Sequence, residues 1–134
     1  MDFSYENYRR IVENNSIFRF QQNRIDETDF AKIEEIAKYL YYGIRKTQSV
    51  SSNNSSYGLK HFFEHDLDYV TNAQFILAAI VAGFNHKTYG TVNCNPHFNM
   101  RASDIKYLHE QNIRKKNPVL LPRGWNDPNY IRIT

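Results

Sequence analysis

The chain has 134 residues and a net charge of +3, and a chain of this length can close one hydrophobic core as a single domain. One cysteine, Cys94, excludes an intramolecular disulfide, and the longest apolar run, Phe75 to Gly83, is too short to span a bilayer. No basic segment followed by an apolar run opens the sequence. We therefore expect a cytoplasmic protein with no membrane partner.

The first 47 residues predict two helices. Asp2 or Ser4 is a suitable N-cap for the first helix, which should end at the polar turn 14–16. The second helix is predicted from about 27 to 46, because Asp26 is a good N-cap and apolar residues then recur at helical spacing. Between the two helices, a short strand or an extended lead-in is predicted at Ile17, Phe18 and Phe20.

The middle of the chain predicts a helix–turn–helix unit over residues 56–84. Residues 48–56 are a Ser/Asn-rich flexible loop, and Ser56 caps a helix that runs from Tyr57 to about residue 65. The turn 66–69 separates it from a second helix. Thr71 and Gln74 form a capping box at the start of that helix, and Gly83 ends it in a Schellman motif.

The last third predicts a short β-hairpin, a final helix and a tail. The hairpin should include Thr88, Tyr89, Val92, Phe98 and Met100, and Ser103 should cap the helix. The fold class is therefore α+β and predominantly helical. We divide the chain into an N-terminal helical segment 1–47, the loop 48–56, a helical and hairpin unit 57–112 and a basic extended tail 113–134.

Several sequence patterns could indicate a DNA-reading helix, a metal site or an enzyme. The unit resembles a winged-helix layout, but its second helix is apolar all round, which is typical of a buried helix and not of one that reads DNA. The sequence from His61 to His65 fits an H-x-x-E-H zinc pattern, and Cys94 with His97 extends the set of possible ligands. The H-x-x-E-H pattern lacks an obvious third carboxylate on a following helix, and Cys94 with His97 is a lone pair, so we expect neither a metal nor another cofactor and no enzyme activity.

The C-terminal quarter carries the whole basic excess, with seven Lys or Arg against three Asp or Glu in residues 101–134. Basic and aromatic side chains alternate there, which is typical of a surface that contacts a protein or a nucleic acid. The alternative is a tail that wraps the domain with solvated charges. The second helix raises the same two possibilities, because Tyr39, Tyr41 and Tyr42 are predicted to be exposed on it. The candidate contact residues are Arg114, Lys115, Lys116, Arg123, Trp125, Lys60, Tyr57, Tyr41 and Tyr42.

The central residues also resemble a known pattern. The sequence Ser56 to His61 (SYGLKH), with Glu64, Tyr69 to Asn72 (YVTN) and the later Ala82 to Phe84 (AGF), is similar to short proteins encoded by bacteriophages and plasmids. Some of these proteins lie in or near anti-CRISPR loci. The resemblance covers residues 55–100 and implies an origin in a mobile element. It also singles out a polar cluster of Tyr57, Lys60, His61 and Glu64, which packing does not require.

Together these observations predict a non-enzymatic mobile-element protein that binds and inhibits a host nuclease or nucleoprotein defence complex, in the manner of an anti-CRISPR protein. A chain with net positive charge is a poor mimic of the DNA backbone over its whole surface. The alternative is a largely non-specific nucleic-acid-binding accessory module that depends on the basic tail.

Overall fold

The computed structural model describes residues 1–50, 55–89 and 95–115, and within them the side chains of residues 65, 66 and 111–115 are not described. The fold is α+β and predominantly helical, as predicted. The elements are α1 (Tyr5–Asn14), two 3₁₀ helices (Ser16–Phe20 and Glu27–Asp29), α2 (Phe30–Gly43), α3 (Ser56–Leu67), α4 (Asn72–Val81), β1 (His86–Lys87), β2 (His97–Phe98) and α5 (Ala102–Lys115). No helix in these ranges has the length and apolar character that crossing a bilayer requires.

Helix α4 is the centre of the core. Its residues from Ala73 to Ala79 are all buried, and it packs against α1, α2 and α3. A helix without a polar face is stable in water only when other elements cover it. The prediction of a buried scaffold helix is confirmed, and the helix–turn–helix of α3 and α4 does not present α4 for reading a DNA groove.

The predicted ends of α4 are also confirmed. The Thr71 hydroxyl accepts a hydrogen bond from the Gln74 backbone N–H, and the Gln74 side chain accepts one from the Thr71 N–H, each at 3.0 Å. At the other end Gly83 has φ +90°, a conformation that glycine adopts without steric cost. The Phe84 N–H donates to the Ala79 carbonyl at 3.1 Å, which completes the Schellman motif.

The hairpin is present but shorter than predicted. His86 pairs with Phe98 and Lys87 with His97 in antiparallel register, whereas Thr88 and Tyr89 lie outside the strand. Val92 lies outside the described residues, and Met100 forms an isolated bridge with Lys46 instead of extending β2. The hairpin is thus joined to the segment that leaves α2.

The buried amide of Asn99 holds this junction together. Its Oδ1 accepts from the Asn85 N–H at 2.7 Å, and its Nδ2 donates to the Thr47 carbonyl at 3.0 Å. The Thr47 N–H in turn donates to the Asn99 carbonyl at 2.9 Å. One side chain therefore satisfies backbone groups from two segments that are distant in sequence.

Several predicted boundaries in the first half were wrong. Residues 16–20, expected to be extended, form a 3₁₀ helix, because the apolar side chain of Ile17 turns into the core. Helix α2 ends at Gly43 and not at residue 46, since the chain must become extended to pair Lys46 with Met100.

Other boundaries were wrong around α3 and α5. The N-cap of α3 is Ser55, whose side chain accepts from the Gly58 N–H, and the helix continues to Leu67 because that side chain is buried. Ser103 lies inside α5 and is not its cap. Helix α5 continues through Lys115, so the first three residues assigned to an extended tail are helical.

Candidate functional site

A polar and aromatic cluster on α3 surrounds the buried Lys60, which is 7% exposed. Its ammonium donates to Glu64 Oε1 at 2.9 Å and to the Val70 carbonyl at 3.1 Å. The rings of Tyr57 and Tyr69 each lie 5.5 Å from Nζ, within the range of a cation–π interaction. The positive charge is therefore compensated within the protein, and Lys60 does not act as an open phosphate site.

Helical spacing explains the cluster, because residues three and four apart share one face of a helix. Tyr57 and His61 stack edge to face at 4.4 Å, and His61 Nδ1 lies 3.5 Å from Glu64 Oε1. The structure thus confirms that Tyr57, Lys60, His61 and Glu64 lie together, as the resemblance implied. Tyr69 joins them from the turn after α3 and was not predicted.

Asp68 directs the chain into Tyr69 through an unusual backbone conformation. It ends α3 with φ 60° and ψ −161°, a region that residues with a side chain rarely adopt. It is the one non-glycine residue with positive φ among the residues that the structure describes. The neighbouring Tyr69 is 68% exposed, and Val70 after it is buried. The backbone turn at Asp68 thus lies between the end of α3 and an exposed aromatic side chain.

Tyr57 and Tyr69 border a cavity of about 440 Å³. We call the aromatic surface the five residues Phe20, Tyr57, Lys60, Tyr69 and Asn72, all of which line this cavity. Its three rings are 63%, 52% and 68% exposed for Phe20, Tyr57 and Tyr69, respectively. Large apolar side chains gathered around one cavity are typical of a contact surface and not of random exposure.

Side-chain amides form the polar part of the cavity wall. Asn72 Nδ2 donates to Gln21 Oε1 at 2.7 Å and to Asn95 Oδ1 at 2.8 Å. Asn72 Oδ1 is buried and has no hydrogen-bond partner in the described part of the chain. A buried acceptor without a donor is costly, so a donor supplied by a bound molecule would be favourable here.

Two arginines lie next to the aromatic surface. A second cavity of about 450 Å³ is lined by Arg19 and Arg24 and shares Gln21, Asn23 and Ala73 with the first. Both arginines are exposed, and no ion pair involves either of them within the described ranges. The combined surface therefore places free guanidinium groups beside exposed rings.

The predicted contact residues lie in three parts of the chain: the aromatic surface, helix α2 and the C-terminal region. Tyr57 and Lys60 belong to the aromatic surface. Tyr41 and Tyr42 are half-buried and contact each other at 4.9 Å on α2. Tyr39, predicted to be exposed, is fully buried against Phe63. Arg114 and Lys115 lie in α5 with undescribed side chains, and Lys116, Arg123 and Trp125 lie outside the described residues.

The sequence did not predict a contact role for Phe20, Tyr69 or Asn72, nor for Arg19 and Arg24. Phe20 is the last apolar residue of the run Ile17, Phe18 and Phe20 before the polar residues 21–24, and this position alone does not separate a buried side chain from a contact residue. No local signal brings residues 19–24 to the start of α4, because that approach is a tertiary contact.

No group of three or more His, Cys, Asp or Glu side chains is placed to hold a metal ion in the parts of the chain that the structure describes. His61 lies on α3 and His97 in β2, whereas Cys94 and the side chain of residue 65 are outside the description. Burial lowers the pKa of His86. His86 packs against Phe98 at 6.1 Å, which is a structural position.

Another cavity lies between α1 and the start of α2, with a volume of about 640 Å³. Phe30 and Tyr8 meet there edge to face at 5.0 Å. Burial, together with the charges of Glu34 and Asp2, raises the pKa of Tyr8 to about 12, so its hydroxyl stays neutral. Asp26 at the edge of this cavity serves helix capping, Arg9 and Glu13 form an exposed ion pair, and the buried Tyr8 hydroxyl has no hydrogen-bond partner in the described part of the chain.

No protein-family model matches the chain, and neither the curated proteins nor the solved structures include a significant match. The resemblance to phage- and plasmid-encoded proteins therefore stays a prediction.

Proposed function

We propose that the protein is a non-enzymatic binding protein of a mobile element, which inhibits a host nuclease or nucleoprotein defence complex by occupying part of it. The observation that carries this proposal is the aromatic surface, where three exposed rings surround one cavity. Exposed aromatic side chains beside a cavity are the groups that dominate binding energy at protein contacts.

The state of Lys60 supports binding over catalysis. A catalytic lysine needs an ammonium that can lose its proton and reach a substrate. Here the ammonium is fixed by Glu64 at 2.9 Å and by the Val70 carbonyl at 3.1 Å. Lys60 therefore acts as a rigid support that holds Tyr57 and Tyr69 in place, which lowers the entropic cost of binding.

The distribution of charge favours this proposal over a non-specific nucleic-acid module. Residues 1–110 carry twelve Lys or Arg and thirteen Asp or Glu, so this part of the chain is close to neutral. Sequence-independent binding of duplexes depends on many phosphate contacts. The alternative module would have to act through Arg114, Lys115, Lys116 and Arg123 in the C-terminal region.

Titration against guide-loaded, RNA-guided nucleases of the host tests the proposal, with target DNA cleavage as the readout. A binding protein stops cleavage at about one equivalent per complex, and the double variant Tyr57→Ala/Tyr69→Ala loses inhibition. Tyr107→Ala is the matched control, because Tyr107 is 41% exposed on α5, outside the aromatic surface.

Two results would contradict the proposal. Complete inhibition by much less than one equivalent of the protein per nuclease complex would indicate an enzyme that acts on many complexes in turn. Full inhibition by the double variant, shown to be folded by circular dichroism, excludes the aromatic surface as the contact. Loss of inhibition only when the four basic C-terminal residues are neutralised would favour the nucleic-acid module.

A further inference from the structure

The aromatic surface exposes three rings, and Lys60 Nζ lies over one face of Tyr57 and one face of Tyr69. Phe20, Tyr57 and Tyr69 are each more than half exposed, and they belong to three separate segments of the chain. Unpaired nucleobases stack on such rings whatever their identity, because every base has a π-face. Bases in a duplex are covered by their neighbours and cannot do so.

One amide oxygen beside the rings remains for the edge of a base. Asn72 Nδ2 already donates to Gln21 Oε1 and Asn95 Oδ1, and Gln21 Nε2 donates to the Ile17 carbonyl. Asn side chains pair with donor and acceptor groups of bases through their amide atoms. Asn72 Oδ1 lacks a donor within the described residues. An exocyclic amino group, present on adenine, cytosine and guanine, is a donor of the required kind.

Arg19 and Arg24 supply the charge that a strand requires. They are exposed and form no ion pair within the described ranges, and their cavity adjoins the one that the rings border. Guanidinium groups bind phosphate oxygens in bidentate geometry. The nearby carboxylate of Glu64 is engaged by Lys60 at 2.9 Å.

We infer that the aromatic surface binds an unpaired nucleobase of single-stranded RNA or DNA, with Arg19 and Arg24 contacting the adjoining phosphates. This inference rests on the proposed function, because it names the single-stranded nucleic acid of the nucleoprotein complex as the component that the surface contacts. None of the residues named in this inference belongs to the basic C-terminal segment.

Fluorescence anisotropy with labelled, unstructured oligonucleotides of about ten nucleotides tests the inference, since this length covers one single-strand site. The probes are oligo(A), oligo(C) and oligo(U) as RNA and DNA, with a duplex of equal length as a comparison. All variants are made in the full chain with Arg114, Lys115, Lys116 and Arg123 replaced by Ala, so that C-terminal charge does not contribute.

Single strands are expected to bind and the duplex to bind at least about tenfold more weakly. Tyr57→Ala and Tyr69→Ala should each weaken binding by about fivefold to about 150-fold, whereas Tyr107→Ala, outside the aromatic surface, should leave it unchanged. Replacing Arg19 and Arg24 by Gln should flatten the slope of log affinity against log salt by about 1.4, because two phosphate contacts are lost.

The inference is overturned if no single strand binds at low salt, or if the folded Tyr57→Ala/Tyr69→Ala variant binds as well as its parent. Tyr-dependent nuclease inhibition without oligonucleotide binding would identify a protein contact, so that the proposed function stands and the inference fails. Tyr-dependent oligonucleotide binding without inhibition of any nuclease supports the inference and contradicts the proposed function.

Discussion

The side-chain amide of Gln74 donates a 2.7 Å hydrogen bond to Asp29 Oδ1, and each of these residues is the third position of a capping box. Asp29 Oδ2 accepts from the Asp26 N–H at 2.8 Å, while Gln74 Oε1 accepts from the Thr71 N–H. The start of α4 is thereby joined to the 3₁₀ helix Glu27–Asp29, which leads directly into α2, through the side chains that take part in their two capping boxes. Capping, normally a local effect, here links two helices of the core.

Replacing Gln74 by Ala removes a capping bond and a hydrogen bond to a carboxylate at once. We expect the free energy of unfolding to fall by about 2–3 kcal/mol. In a double-mutant cycle with Asp29→Ala, urea unfolding should give a coupling energy of about 1–2 kcal/mol. Glu27→Ala, in the same turn, is the control and should change stability by less than about 0.5 kcal/mol. Additive effects of Gln74 and Asp29 would show that the two capping boxes act separately.

The ion pair between Arg45 and Asp104 attaches α5 to the end of α2. The guanidinium donates to both carboxylate oxygens, at 2.9 and 2.8 Å, and the Arg45 backbone N–H donates to Asp104 Oδ2 at 2.8 Å. The side chain of Asp104 is only 3% exposed. Removing one partner of a buried pair leaves the other charge and its donors without compensation.

Asp104→Ala should therefore lower the free energy of unfolding by about 3–5 kcal/mol. The comparison is Glu13→Ala, which breaks the exposed Arg9–Glu13 pair on α1. Solvent screens that pair, so no measurable change is expected. Thermal unfolding of both variants beside the parent protein measures the difference. If the two substitutions lowered the free energy of unfolding equally, the burial of Asp104 would not be the reason for its effect.

The sequence predicted those elements whose determinants are local. The capping box at Thr71, the glycine at 83 and the apolar run of α4 lie within a few residues of the structure they define. The end of α2 was misplaced because the bridge from Lys46 to Met100 is a contact between distant residues. Only two of the five residues of the aromatic surface were predicted, for the same reason. Tyr57 and Lys60 share a helical face, whereas Phe20 and Asn72 reach the surface through tertiary packing.

His86 should make stability depend on pH. Burial lowers its pKa below the ordinary value of 6.5, so the unfolded chain takes up a proton at a higher pH than the folded protein does. The stability that His86 contributes is fully present above pH 6.5 and is lost as the pH falls through the lower folded pKa. His86→Gln should therefore show a smaller loss of stability than the parent between pH 7.5 and 5.5. The midpoints of urea unfolding at the two pH values measure this loss of stability. If His86→Gln and the parent lost stability equally, the pH dependence would come from other titratable groups.

The backbone strain at Asp68 predicts an unusual gain from glycine. With φ 60° and ψ −161°, Asp68 occupies a region that only glycine adopts freely. Asp68→Gly should raise the free energy of unfolding by about 1 kcal/mol, because the relief of strain exceeds the added freedom of the unfolded chain. Asp68→Ala is the control, since it removes the same carboxylate and keeps the strain. Urea unfolding of the two variants separates the causes: an equal gain from alanine would assign the effect to the lost charge, whereas a gain confined to glycine assigns it to the backbone turn that precedes Tyr69.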